Sequence, residues 1–66
     1  MITIYTVPNC PKCKMLKDKM TKKNIEFVEE TNLDEVIQRG FKSAPVLRVD
    51  DTFFDFAPAN TYVNRL

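Results

Sequence analysis

Histidine is absent from this chain, and cysteine occurs only twice, at Cys10 and Cys13. Structural zinc takes four ligands, so a single copy cannot complete such a site with soft ligands. Only a dimer pooling four thiolates could, and that remains one alternative for the pair. No apolar run approaches the ~20 residues that span a bilayer. The start, Met1-Ile2-Thr3-Ile4, lacks the basic segment and long apolar core of a secretory signal. The expected address is therefore cytoplasmic, with no membrane partner. Neither sign of charge dominates: the net charge is +1 on a chain that is 29% charged, which gives no argument for nucleic acid. Repeats, low-complexity segments and linkers are missing as well.

What is present fits one domain, residues 1–66. A chain of this length buries only about 60% of the surface its unfolded form exposes, so its core must be economical. Small domains often compensate with disulfides. A bridge between Cys10 and Cys13 closes too short a loop to restrain the unfolded chain much. In a reducing compartment such a pair is catalytic or metal-binding more often than structural. Two buried free cysteines that happen to share this spacing are the bland alternative.

The pattern of residues predicts seven elements. Ile2 to Val7 is β-branched and aromatic, and stops at Pro8-Asn9. Pro11 to Lys23 holds strong helix formers, with Cys13, Leu16 and Met20 at helical spacing. Pro11 suits the first helical position, and Asn24 is a stop. Ile25 to Glu29 reads as a second strand. Thr31-x-x-Asp34 or Asn32-x-x-Glu35 offers a capping box for a second helix. Gly40 fits the position that ends it, with Phe41 packing back on Val36. Pro45 to Val49 and Thr52 to Phe56 form a hairpin around Asp50-Asp51, a turn without glycine. Pro58 opens a last helix, with Ala59, Tyr62, Val63 and Leu66 as its apolar stripe. The order β-α-β-α-β-β-α implies a parallel pair with a right-handed crossover and an antiparallel edge. Together these give a four-stranded mixed sheet with helices on its faces, an α/β fold.

Disulfide exchange needs a thiolate, and free cysteine titrates near ~8.5. Cys10 falls where a strand has ended and a helix begins, so unpaired N–H groups and the helix dipole favour negative charge on it. Lys12 and Lys14 add positive charge nearby. Cys13 lies one turn on, within the apolar stripe. Cys10 is thus expected to attack a substrate disulfide, and Cys13 to resolve the mixed disulfide. Lys12 either steers an acidic partner or only keeps the surface solvated. The other lysines of the segment, from Lys14 to Lys23, face a following acidic block from Glu26 to Glu35, a pattern usual for solvated faces.

The run Tyr5-Thr6-Val7-Pro8-Asn9-Cys10-Pro11-Lys12-Cys13 resembles the active site of glutaredoxins and of the glutaredoxin-like NrdH-type redoxins. The likeness covers nearly the whole chain, including Ser43-Ala44-Pro45 before the third strand. It implies a thioredoxin-like fold and a cis Ala44–Pro45 bond facing the cysteines, where the Ala44 backbone offers a docking edge for an extended substrate. It implies a thiol–disulfide electron carrier with no bound cofactor, working as a monomer. The external reductant is thioredoxin reductase with NADPH, or glutathione, and ribonucleotide reductase is the client the NrdH-type likeness suggests. Glutathione-using members carry a Gly-Gly turn and an acidic residue before the last helix. The stretch Phe54 to Asn60 has no glycine, and Thr6-Val7 replaces a basic residue ahead of the loop. Phe56 is either an aromatic that meets a protein partner or a core residue at the end of strand four. The resemblance therefore names Cys10 and Cys13 as catalytic, and Pro11, Lys12, Ala44, Pro45 and Phe56 as substrate-binding candidates.

Overall fold

The computed structural model covers residues 1–66 and shows seven elements in the expected order. They are β1 (Ile2–Tyr5), α1 (Pro11–Lys22), β2 (Val28–Glu30), α2 (Asp34–Gln38), β3 (Val46–Val49), β4 (Thr52–Phe54) and α3 (Phe56–Arg65). The sheet order is β2-β1-β3-β4. β1 runs parallel to β2 and antiparallel to β3, and β3 to β4 is an antiparallel hairpin. This is the four-stranded mixed sheet of the thioredoxin-like fold.

Alternation along β1 divides the core between the two faces of the sheet. Ile4 packs on one face with Leu16 and Met20 of α1, Leu47 of β3, and Ala59 and Val63 of α3. Tyr5 packs on the other with Val46 and with Val36 of α2, joined by Leu33, Phe41 and Phe53. The register explains the pairing, because Ile4 lies opposite Leu47 and Tyr5 opposite Val46. The stripe Cys13, Leu16, Met20 read from the sequence is the buried face of α1.

Two of the helices end in the same way. Asn24 adopts φ 58° after α1, its N–H donates to the Thr21 carbonyl, and the Ile25 N–H reaches back to Met20. Gly40 adopts φ 94° after α2, its N–H donates to Ile37, and the Phe41 N–H donates to Val36. Both are Schellman closures, each with an apolar residue folded back onto the helix. Ile25 is spent on the first of them, and β2 therefore starts three residues later than its composition suggests.

Other boundaries differ for equally local reasons. Neither capping box forms. Asn32 Oδ1 instead accepts from the Asp34 N–H at 3.0 Å, an Asx turn, and Leu33 at the N-cap makes no side-chain bond. β4 ends at Phe54 because Asp55 caps α3, accepting from the Phe56 N–H at 2.9 Å. Phe56 is thus the first residue of a helix and not the last of a strand. Pro58, expected to open that helix, lies within its first turn, where an N–H has no intrahelical partner anyway. In the hairpin turn Asp50 takes φ 53° itself, so no glycine is required. Within one layer, α1 and α3 are tied by Lys19, whose Nζ donates to Asn60 Oδ1 at 2.6 Å and Asn64 Oδ1 at 3.1 Å.

Candidate functional site

Cys10 and Cys13 are joined in a disulfide, with their Cα atoms 5.2 Å apart. In this state neither sulfur is a thiolate ligand, and no group of three or more His, Cys, Asp or Glu gathers to hold a metal. Cys10 is the N-cap of α1, with extended backbone at φ −111° and ψ 102°. Its Sγ accepts the Cys13 N–H at 3.1 Å. A backbone donor at a helix N-terminus therefore points at the sulfur, where the sequence places the attacking thiolate. Pro11 takes the first helical position and loses no hydrogen bond there.

The two sulfurs differ in access. Cys10 is half-buried at the surface, whereas Cys13 is only 2% exposed. The approach to Cys10 is set by the Pro8-Asn9 turn, in which Asn9 adopts φ 58°. Thr6 holds the start of this loop to the sheet through its N–H, which donates to the Glu30 carbonyl at 2.9 Å.

An open groove of about 790 Å³ leads away from the disulfide. One wall is the loop from Thr6 to Asn9. A second is the α1 face bearing Lys14, Lys17 and Asp18, and the far wall carries Glu29 and Thr31. Such crevices outside the carboxyl ends of parallel strands are the usual binding places of open α/β sheets. Glu29 and Thr31 were not among the sequence candidates. Their signal was the β-α-β start, since a right-handed crossover brings the end of β2 beside the end of β1.

The remaining candidates fall into two groups. Lys12 is exposed, and its Nζ lies 5.1 Å from the centroid of the Phe56 ring. This cation–π contact joins the motif to the start of α3. Phe56 is partly buried and packs against the larger core cluster, which is the core placement expected for it, at a helix start and not at a strand end. The Ala44–Pro45 bond is cis. Ala44 is half-buried and Pro45 buried, and neither lines the groove.

Comparison with known proteins agrees with this geometry. The glutaredoxin family model matches residues 2–54. A glutaredoxin-like protein NrdH from Lactococcus lactis subsp. lactis is 40% identical, over 89% of this chain and 92% of its own. An uncharacterised glutaredoxin-like 8.6 kDa protein of the Clostridium pasteurianum rubredoxin operon is 44% identical over 59% of the chain and 52% of its own. Among solved structures, the NrdH-redoxin of Escherichia coli superposes with a TM-score of 0.75 at 32% identity, covering 98% of this chain and 92% of that one. With the sheet order, the helix-capping cysteine and the likeness in agreement, the chain belongs to the glutaredoxin family as an NrdH-type redoxin, and so to the thiol–disulfide oxidoreductases.

Proposed function

We propose that the protein carries electrons to disulfides of other proteins, with Cys10 as nucleophile and Cys13 as resolving thiol, and is recharged by thioredoxin reductase and NADPH. The observation that carries this reading is the unequal access of the two sulfurs on one helix start. Cys10 caps the helix at the mouth of a groove, while Cys13 is buried one turn behind it.

The reduced form begins with two thiols. The Cys10 thiolate attacks one sulfur of a substrate disulfide, forming a mixed disulfide and expelling the other substrate sulfur as a thiolate. Cys13 gives up its proton and attacks Cys10 Sγ, which forms the Cys10–Cys13 bond and releases the second substrate thiolate. Two electrons pass to the substrate, whose thiolates take up protons from water. The Cys13 N–H, already aimed at Cys10 Sγ, stabilises the charge that gathers there each time the sulfur is displaced. No bound cofactor takes part. Thioredoxin reductase is favoured as electron donor by the NrdH-type kinship, and the solved E. coli relative is described by its thioredoxin-like activity profile. A ribonucleotide reductase is the client suggested by the same kinship, and the cytoplasm is the compartment in which these donors work. Pro11, Lys12, Phe56 and the Ala44–Pro45 segment remain the proposed contacts to substrate.

The test is to mix the oxidised protein with thioredoxin reductase and follow NADPH consumption. Sustained turnover with insulin or another disulfide protein supports the reading. Turnover only with glutathione and glutathione reductase overturns the choice of donor. A Cys13→Ser variant should accumulate a mixed disulfide with substrate, and Cys10→Ser should not; equal trapping by both overturns the assigned roles.

A further inference from the structure

We propose that the groove between α1 and the end of β2 is a substrate-recognition subsite, in which Lys14 selects disulfides flanked by an acidic side chain about two residues from the reacting cysteine. The inference rests on the reading that Cys10 receives the incoming sulfur.

The groove opens at Cys10 and Cys13, so a chain that hands a disulfide to Cys10 lays its neighbouring residues along the walls. Four charged side chains line them: Lys14, Lys17, Asp18 and Glu29. Two neutralise each other, because Lys17 Nζ lies 3.3 Å from Glu29 Oε2 across the groove. Lys14 and Asp18 enter none of the chain's ion pairs. They are the charges left for a ligand.

Their order along the helix gives the groove a direction. Lys14 is one turn beyond Cys10 and Asp18 one turn beyond Lys14. With a rise of about 1.5 Å per residue, these positions lie roughly 6 Å and 12 Å from the Cys10 level along the axis. An extended substrate advances about 3.3 Å per residue. An acidic side chain about two residues from the substrate cysteine therefore meets Lys14, and one about four residues away meets Asp18. The first is attracted and the second repelled.

The test uses homodimeric disulfides of single-cysteine peptides that carry Glu two residues from the cysteine on each side, Glu four residues away, or Gln at all these places. Each is mixed with the reduced protein at low ionic strength, and peptide-thiol release is timed. Each turnover oxidises Cys10 and Cys13 to the disulfide and reduces one peptide disulfide to two thiols. The near-Glu peptide should react about three- to tenfold faster than the Gln peptide, and high salt should shrink the gap. Lys14→Gln should abolish the preference. Lys22→Gln makes the same charge change on the same helix outside the groove and should retain it. Asp18→Asn should speed the far-Glu peptide. An unchanged preference in Lys14→Gln, or equal loss in Lys22→Gln, overturns the proposal. If the Gln peptide is reduced with no preference for Glu, only the subsite fails. If no peptide is reduced at all, the electron-carrier reading falls with it.

Discussion

The Cys13 backbone N–H donates to Cys10 Sγ at 3.1 Å, so in the proposed roles the resolving residue serves the nucleophile through its main chain as well as its sulfur. Replacing the Cys13 side chain leaves that donor in place. In the reduced protein, Cys13→Ser should therefore keep Cys10 reactive toward iodoacetamide at neutral pH. Cys10→Ser leaves one thiol that is 2% exposed, and it should alkylate at least about tenfold more slowly. Mass spectrometry of timed samples reads both rates, and comparable rates would contradict the geometry.

Leu16 is fully buried among Ile4 of β1, Leu47 of β3, Met20 of α1, and Ala59 and Val63 of α3. Leu16→Ala should cost about 2–5 kcal/mol, read as a lower urea midpoint. If the domain starts from roughly 5 kcal/mol, a loss at the upper end of that range would leave about half the protein unfolded without denaturant.

Asp55 caps α3 from the strand side. Asp55→Ala should lower stability by about 1 kcal/mol, and Asp55→Asn, which keeps an acceptor oxygen, should recover most of it. A urea titration of the three proteins checks the order. Because Asp55 sits directly before Phe56 at the start of α3, the alanine variant should also loosen the Lys12–Phe56 contact.

Gly40 has φ 94° and open space where a Cβ would project. Gly40→Ala should therefore cost about 1–2 kcal/mol through backbone strain alone, without a clash. A loss much beyond that range in thermal or urea unfolding would mean the cost arises elsewhere.

The site was legible in the sequence to the extent that its chemistry is local. Pro11 at a helix start, Cys13 in phase with Leu16 and Met20, and Gly40 followed by Phe41 all work within one turn of chain. The cis Ala44–Pro45 bond came from likeness to a family and not from the residues themselves. The second strand starts later than its composition suggests, because Ile25 and Phe27, though strand-like, pack into the core as the chain leaves α1. The far wall of the groove needs the parallel register of Ile4 with Glu29, and nothing nearer than a strand pairing encodes it. Asp55, the cap of α3, is masked in the sequence by Pro58 three residues on, the louder helix-start signal.

β1 is paired on both edges and covered on both faces, whereas α2 has five residues and no side-chain cap. Protection of amides against hydrogen exchange should therefore be lopsided, deepest in β1 and shallowest in α2. The disulfide loop springs from the deep end. Sub-global opening of α2 exposes Val36 and Phe41 while leaving Cys10 anchored to β1 and α1, so a protein already partly loosened in one layer keeps its electron-carrying end assembled.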